Sequence, residues 1–276
     1  MEIIKTIAAL QNRLQNQPET IGLVPTMGAL HNGHLSLIKT ALAQTGLVVC
    51  SIFVNPTQFT DASDLEKYPR PVEADIEKLA QAGCAVLFMP DVPEIYPQKE
   101  HWHLDIGEIE HRLEGKFRPG HYQGVMQVVY KLFMAVKPDF AYFGQKDFQQ
   151  VKVIEQMVKL KNLPVKTVMC PIVRDADGLA MSSRNVHLSP EERKHALILS
   201  WALHQLKKSY VKEASEELRK EAIELINAEP NVQLEYLEIV NAADLDTDIS
   251  NPQIGIIALV AAKVGQTRLI DNVILA

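Results

Sequence analysis

The stretch that decides the fold is residues 21–34, which read IGLVPTMGALHNGH. Its first five residues form an apolar run of the kind found in buried strands, and a glycine turn follows. Leu35, Ile38 and Leu42 then recur at helical spacing, which predicts a helix over residues 33–43. A helix that begins at such a turn presents free backbone N–H groups and the positive end of its dipole. The stretch therefore predicts an α/β fold with an anion site at this turn.

The same alternation of apolar runs and helical patterns continues to about residue 175. Because these runs are continuously apolar, we expect strands that helices cover on both faces of a parallel sheet. We predict a Rossmann-like, doubly wound α/β domain over residues 1–175. Its predicted strands are 21–25, 47–54, 85–89, 140–143 and 165–169, and its predicted helices are 33–43, 72–82, 122–136 and 148–161.

The pattern changes in the last hundred or so residues of the chain. Two helices rich in lysine and glutamate, 190–208 and 211–228, precede three strand-like runs at 233–240, 254–262 and 268–275. Helices followed by strands are typical of a small α+β domain with an antiparallel sheet. We predict this domain over residues 176–276, with its junction to the first domain inside 171–189.

The composition is that of an ordinary globular protein, with 276 residues of which 47% are hydrophobic and 22% charged. The net charge of −6 argues against a dedicated nucleic-acid-binding protein, which usually has a basic face. Cys50, Cys84 and Cys170 fit neither zinc nor redox spacing, so we interpret them as buried thiols in a reducing compartment. Residues 1–10 do not resemble a signal peptide, and the apolar run 254–262 is too short to span a bilayer. We expect a soluble, cytoplasmic protein that binds neither nucleic acid nor membrane.

Two histidines lie at the predicted start of the helix. His31 and His34 are three positions apart, so one helical turn brings both imidazoles to the same side. As hydrogen-bond donors they suit phosphate oxygens and the charge that grows on a leaving pyrophosphate. A metal site is disfavoured because no third ligand lies nearby in the sequence. The remaining alternative is a pair of ordinary surface histidines, and the strand and glycine turn before them argue against it.

A second turn of the same kind follows the predicted strand 140–143. Residues 144–147 read GQKD and precede another predicted helix. Lys146 is a compact point charge that suits phosphate. Asp147 either caps the helix or orients the nucleotide or a cation. The segment is therefore a candidate second contact with the same phosphates.

A third candidate phosphate-binding segment lies near the predicted domain junction. Residues 180–185 read AMSSRN and follow a predicted Asp-Gly turn. The hydroxyls of Ser182 and Ser183 with the guanidinium of Arg184 make a compact donor cluster for a triphosphate. The alternative is that one of the serines caps a helix while the arginine is solvated.

Two glutamines are candidates for binding a second substrate. Gln58 follows the predicted strand 47–54, and Gln150 follows the Lys146 turn. A carboxamide both donates and accepts without adding charge, which suits a substrate with hydroxyl and carboxylate groups. Each is equally compatible with an ordinary solvated loop residue.

Residues 31–34 resemble the His-x-Gly-His signature of the adenylyl-transferring superfamily, and residues 180–185 resemble its Lys-Met-Ser-Lys-Ser loop. Over roughly the first two thirds of the chain, the combined segments resemble the pantothenate synthetase family in the family's order. Gln145 departs from the acidic residue expected there, and a contact made mainly by backbone tolerates that change. The matching segments are 25–34, 53–59, 117–121, 144–150 and 177–185.

The resemblance implies that pantoate, β-alanine and ATP give pantothenate, AMP and pyrophosphate through a pantoyl-adenylate, with Mg²⁺ bound alongside ATP. It also implies a homodimer whose smaller domain acts as a lid. His34, His31, Lys146 and Arg184 are the implied catalytic residues, Gln58 and Gln150 bind pantoate, Gln58 also borders β-alanine, and Asp75 helps bind the metal. Asn55 and Tyr68 are weaker candidates. The implied ATP-binding residues are Met27, Gly28, Ala29, Leu30, His31, Asn32, Gly33, His34, Gly144, Gln145, Lys146, Asp147, Val173, Met181, Ser182, Ser183 and Arg184.

Three rival functions have distinct requirements. A nucleotidylyltransferase needs an additional basic residue for its acceptor phosphate, and the amides at Gln58 and Gln150 argue against it. A tRNA-charging enzyme needs a basic RNA-binding region, which the net charge of −6 disfavours. A non-catalytic ATP-binding protein has no use for the histidines together with Lys146 and Arg184.

Overall fold

The computed structural model describes residues 1–59, 62–251 and 253–276. The chain forms two compact units. The first unit comprises residues 1–144 and 150–171, and the second comprises 145–149 and 172–276. These bounds differ from the predicted division at 175/176, because residues 145–149 and 172–175 pack with the second unit.

A parallel sheet forms the centre of the first unit. Its described strands lie in the order β1-β4-β3-β2-β5-β6, and every pairing is parallel. Val48, Val49 and Cys50 in the third strand are completely buried, as expected for a strand covered on both faces. The predicted parallel sheet is confirmed, and β1 is a strand that the sequence pattern did not identify. The strands are β1 (Glu2–Ile4), β2 (Ile21–Thr26), β3 (Leu47–Ile52), β4 (Val86–Phe88), β5 (Phe140–Gly144) and β6 (Lys166–Cys170).

Helices connect these strands, as crossovers between parallel strands usually require. In the helix after β2, the buried residues are Leu37, Ile38 and Ala41, whereas Leu42 is 40% exposed. The buried face of this helix therefore differs from the predicted apolar face by a rotation about the helix axis, and only Ile38 belongs to both faces. The helices are α1 (Ile7–Leu14), α2 (Asn32–Gln44), α3 (Ala62–Lys67), α4 (Val72–Gln81), α5 (Val92–Ile95), α6 (Leu113–Phe117), α7 (His121–Val136) and α8 (Phe148–Leu160).

The strand order reverses direction between β2 and β5. From β2 the chain proceeds outward through β3 and β4, and it returns to the other side of β2 with β5 and β6. Gly22 pairs with Phe140, so in the same register the last residues of these strands, Thr26 and Gly144, lie level at one edge of the sheet. Open α/β sheets bind ligands beyond the carboxyl ends of the strands at such a reversal. The turn after β2 therefore lies at the position where a ligand is expected.

The second unit is an α+β structure, as predicted. Its antiparallel sheet consists of β7 (Val232–Asn241), β8 (Ile256–Val264) and β9 (Thr267–Ile274). Helices α9 (Pro190–Ser209) and α10 (Ser215–Asn227) bury Leu199, Leu203 and Ile226 against this sheet. Helix α10 begins four residues later than the sequence pattern predicted, because Lys212–Ala214 form a separate 3-10 turn. Among the described residues, no helix has the length and the apolar character needed to cross a bilayer.

Candidate active site

The turn after β2 has an unusual backbone. Gly28 and Ala29 both have positive φ angles, +82° and +49°. A side chain at Gly28 would place its Cβ 3.0 Å from the carboxylate of Asp75 and 3.2 Å from Ile52. Thr26 Oγ1 accepts a hydrogen bond from the Gly28 N–H at 3.2 Å and donates to the Ser51 carbonyl at 2.7 Å. The turn thus requires glycine at position 28, and the hydrogen bond from Thr26 to Ser51 joins it to β3.

The carboxylate of Asp75 binds the backbone of this turn. It is 1% exposed in the first turn of α4, and its two oxygens accept the N–H groups of Ala29 at 2.7 Å and Leu30 at 2.8 Å. One turn later on the same helix, Lys78 donates to the Leu30 carbonyl at 2.6 Å. Hydrogen bonds to an ionised group are among the stronger ones in proteins. The conformation of the turn is therefore set by side chains of α4.

His31 and His34 form a capping box at the start of α2. His31 Nδ1 accepts the N–H of Gly33 at 3.1 Å, and His34 Nδ1 accepts the N–H of His31 at 3.4 Å. The ring centroids are 4.0 Å apart. Because each Nδ1 acts as an acceptor, a neutral ring has its proton on Nε2. The two imidazoles lie side by side as predicted, and each Nδ1 is engaged with backbone.

Met27 and Gln58 are in contact, which joins the turn after β2 to the turn after β3. Gln58 Nε2 donates to Met27 Sδ at 3.0 Å, and its Oε1 accepts from Asn55 Nδ2 at 3.2 Å. Asn55 is 1% exposed and also accepts the Tyr96 hydroxyl at 2.8 Å. Burial raises the pKa of the Tyr96 phenol, which keeps it a neutral donor. Asn55 thus orients the Gln58 carboxamide.

Helix α7 packs directly on the 3-10 turn that carries Gln58 (Pro56–Gln58). The carbonyl of Gly124 accepts from Asn55 Nδ2 at 3.1 Å. A Cβ at position 124 would lie 2.3 Å from the Thr57 carbonyl oxygen, so only glycine permits this approach. His121 Nδ1 donates to the Gln58 carbonyl at 2.7 Å. The backbone and the side chain of Gln58 are therefore both held by neighbours.

The other candidate residues of the first unit have different surroundings. Tyr68 is 5% exposed and packs edge-on against Phe59, with ring centroids 5.8 Å apart. Gln150 is half-buried in the first turn of α8, and no hydrogen bond among the described residues joins it to Gln58. Both remain predicted substrate contacts.

In the second unit, one side chain organises the Lys146 turn. Asn272 on β9 is 1% exposed, and its Nδ2 donates to the carbonyls of Gln145 at 2.9 Å and Lys146 at 3.0 Å. Its Oδ1 accepts from Gln145 Nε2 at 3.1 Å. The side chain of Gln145 is therefore engaged, in addition to its backbone. These bonds explain why residues 145–149 belong to the second unit.

The neighbouring residue on β9 organises the approach to the serine loop. Asp271 is 4% exposed and forms a two-pronged ion pair with Arg174, at 2.7 and 3.0 Å. The same guanidinium donates to the Gly178 carbonyl at 3.2 Å. The N–H of Met181 donates to the Val173 carbonyl at 3.0 Å, so two predicted ATP-binding residues lie together.

The serine loop itself is capped as the alternative interpretation required. Ser182 Oγ accepts the N–H of Arg184 at 3.3 Å and caps a 3-10 turn, Ser183–His187. Arg184 is half-buried. Capping uses one lone pair of the Ser182 hydroxyl and leaves its proton available as a donor, so capping and phosphate binding are compatible.

Several residues that shape the site were not identified from the sequence. In the first unit the sequence did not indicate that Asp75 positions the turn, and it did not indicate the contacts that Tyr96, His121 and Gly124 make. In the second unit the residues not identified are Asp271 and Asn272. A signal for the last two exists, because an acid and an amide interrupt the otherwise apolar stretch LIDNVI, and buried polar groups need partners.

The three cysteines match their interpretation as buried thiols. Cys50, Cys84 and Cys170 are all free and buried. Burial raises the pKa of each thiol, most strongly that of Cys50. At neutral pH they are therefore protonated and weakly nucleophilic.

Comparison with known proteins gives full-length matches. The model of the family described as Pantoate-beta-alanine ligase matches residues 2–274. Pantothenate synthetase from Porphyromonas gingivalis (strain ATCC 33277) is 48% identical over 283 residues, covering 99% of each chain. The one from Acetivibrio thermocellus is 47% identical over 279 residues, again covering 99% of each.

Solved structures agree with the sequence matches. Pantothenate synthetase from Thermus thermophilus has a TM-score of 0.92 and 40% identity, covering 100% of this chain and 99% of the other. Pantoate-beta-alanine ligase from Francisella tularensis, complexed with beta-gamma ATP and beta-alanine, has a TM-score of 0.84 and 36% identity, covering 100% and 98%. The likeness extends over both units.

The positioning role of Asp75 is testable with Asp75→Asn. The amide keeps one acceptor and turns an NH₂ group toward a backbone N–H, so we expect the free energy of unfolding to fall by about 1–3 kcal/mol. Urea denaturation without nucleotide or metal measures this change. Glu73→Gln, an exposed change in the same helical turn, should stay within about 0.5 kcal/mol of the parent. Unchanged stability of Asp75→Asn would contradict the positioning role.

The close approach of α7 is testable with Gly124→Ala. In an unobstructed helix this change stabilises by roughly 0.5–1 kcal/mol. Here the new methyl group meets backbone atoms of Thr57 and Gln58, and overpacking costs about 1–3 kcal/mol, so we expect a net loss of stability in urea denaturation. Met134→Ala, on the same helix and 44% exposed, serves as the control. A variant as stable as the parent would mean that the turn yields without cost.

Proposed function

The chain belongs to the pantoate-beta-alanine ligase family and catalyses the ATP-dependent condensation of (R)-pantoate with β-alanine to pantothenate, and we propose that the reaction proceeds through a pantoyl-adenylate. The products besides pantothenate are AMP and pyrophosphate. The single observation that supports the mechanism is the His31–His34 capping box, which lies at the reversal of strand order.

We place ATP on segments of both units. In the first unit, residues 27–34 and Gly144 contribute. In the second unit, the contributors are Gln145, Lys146, Asp147, Val173, Met181, Ser182, Ser183 and Arg184. Support comes from the positive end of the α2 dipole, from the glycine-permitted approach at position 28, and from hydroxyl, ammonium and guanidinium donors. The similar ligase from Francisella tularensis was solved in complex with beta-gamma ATP, which agrees with this assignment.

The first chemical step needs no protein base. A pantoate carboxylate oxygen attacks the α-phosphorus of ATP, the bond from that phosphorus to the bridging oxygen breaks, and pyrophosphate leaves. The carboxylate is already ionised, so catalysis consists of positioning and charge stabilisation. His31, His34, Lys146 and Arg184 supply donors for the charge on the leaving group.

The second step forms the amide. The neutral amine of β-alanine attacks the carbonyl carbon of the mixed anhydride, the bond from that carbon to the phosphate oxygen breaks, AMP leaves, and the amine loses a proton. Gln58 and Gln150 bind pantoate, and Gln58 borders β-alanine. The Asn55 contact that orients Gln58 supports this role. Water must be excluded from the anhydride, and the lid role of the smaller unit stays a prediction.

The described residues do not form a cage for magnesium. Both oxygens of Asp75 accept backbone N–H groups, and no cluster of three or more His, Cys, Asp or Glu side chains suited to a metal occurs among the described residues. Magnesium typically binds substrate phosphates and waters with few protein carboxylates. We therefore treat MgATP as the substrate, and a contact from Asp75 to the metal stays a prediction. The homodimer and the cytoplasmic location also stay predictions.

Pyrophosphate exchange tests the adenylate. With ATP, pantoate and labelled pyrophosphate but no β-alanine, label should enter ATP, because the first step is reversible. His34→Ala and Lys146→Ala should each slow the exchange by roughly 10²–10³-fold. The exposed His103→Ala and Lys159→Ala are matched controls and should exchange normally. Exchange without pantoate would contradict the mechanism, as would active enzyme that exchanges no label.

A further inference from the structure

Strand β9 carries a polar side chain that its position does not require. The strand is apolar on both sides of Asp271 and Asn272, and Asn272 is 1% exposed. A buried carboxamide is retained at a desolvation cost unless its hydrogen bonds are made. The bonds described for the Asn272 side chain lead to two residues 126–127 positions earlier in the chain, namely to the backbone carbonyls of Gln145 and Lys146 and to the side chain of Gln145.

These bonds fix the backbone on both sides of Lys146. The Nδ2 group of Asn272 donates to the carbonyl before the Lys146 Cα, at 2.9 Å, and to the carbonyl after it, at 3.0 Å. The peptide planes that flank this Cα are therefore both oriented by one side chain. Gln145 Nε2 donates to Asn272 Oδ1 at 3.1 Å, which determines which end of the carboxamide faces the two carbonyls. The lysine itself is half-buried.

We propose that Asn272 is a positioning residue for Lys146: it holds the Lys146 backbone so that the ammonium meets the phosphates of ATP. This inference rests on the proposed function, since it assigns a cause to the placement of a proposed phosphate ligand. Because Asn272 is 1% exposed and its described side-chain bonds go to Gln145 and Lys146, we assign it no contact with substrate. Its effect on ATP binding runs entirely through Lys146.

The expected effect of replacing Asn272 depends on how strongly the Lys146 contact depends on the position of the ammonium group. A misplacement of about 1 Å in an active site can cost roughly 10²-fold in reaction rate. Asn272→Ala removes the donor shared by the carbonyls of Gln145 and Lys146 and frees the turn. We expect its dissociation constant for MgATP to rise by roughly 10- to 100-fold, with a similar fall in the pyrophosphate exchange rate.

Asn272→Asp provides a variant of unchanged shape. It removes the two N–H donors and places a carboxylate oxygen against the carbonyls of Gln145 and Lys146. It should weaken MgATP binding at least as much as Asn272→Ala. Because the side-chain volume is preserved, this variant separates the loss of hydrogen bonds from the loss of packing.

Asn241→Ala is the matched control for a purely structural effect. Asn241 is also buried, at 6% exposure, and its side chain likewise binds backbone, donating to the Asp248 carbonyl and accepting from the N–H groups of Ala243 and Asp244. That loop carries no proposed site residue. This variant should lower the melting temperature as Asn272→Ala does, yet bind MgATP with the parent affinity.

The deciding measurement is a double-mutant cycle in MgATP affinity, by calorimetry on the full-length folded protein. If Asn272 acts through Lys146, Asn272→Ala weakens binding 10- to 100-fold in the parent and less than about twofold in Lys146→Ala. Equal factors in both backgrounds would overturn the proposal, as would parent affinity in Asn272→Ala. Failure of the proposed function looks different, because Lys146→Ala alone would then bind MgATP as the parent does.

Discussion

The contact between the Asp75 carboxylate and the backbone of the turn after β2 is the interaction on which the candidate site depends. A carboxylate that is 1% exposed is stable only when hydrogen bonds replace its water, and here the N–H groups of Ala29 and Leu30 do so at 2.7 and 2.8 Å. Ala29 has a positive φ angle, which costs a non-glycine residue about 1–2 kcal/mol. Hydrogen bonds to a charged group contribute roughly 1.5–3 kcal/mol each, so the strained turn is favoured. His31 follows directly and begins α2 in the geometry that pairs it with His34.

In the second unit, two adjacent residues of one strand likewise fix the backbone of loops. Asp271 binds the guanidinium of Arg174, which in turn binds the Gly178 carbonyl, and Asn272 binds the carbonyls around Lys146. Because a strand within a sheet is rigid, side chains on it hold the bound loop backbone in a fixed position. In each unit, short loops with the proposed ligand contacts are therefore ordered by polar side chains on regular elements, as a preorganised site requires. The loops need few apolar contacts of their own.

Features that depend on residues close together in the chain were predicted from the sequence, and features that depend on contacts between distant residues were missed. The strand, the turn at Gly28 and the histidine pair were predictable because their conformations are decided by residues within one or two turns of chain. Asp75 binds a turn 46 residues earlier, and as one acid on an amphipathic helix it looks like a surface residue. The placement of residues 145–149 in the second unit was missed for the same reason, since it depends on Asn272, 127 positions from Gln145. Side-chain contacts to distant backbone have no local signature.

The hydrogen bonds of Gln58 differ in strength, and this difference bears on the proposed pantoate contact. Its Oε1 accepts from Asn55, a buried amide that is itself held by Tyr96 and the Gly124 carbonyl. Its Nε2 donates to the thioether of Met27, which is a weak acceptor. An oxygen acceptor on the proposed substrate would form a stronger bond with this NH₂ group than the sulfur does, and the Asn55 contact keeps the carboxamide in place. The network therefore leaves Gln58 oriented in advance, with its NH₂ group facing only a weak acceptor in the turn proposed to bind ATP.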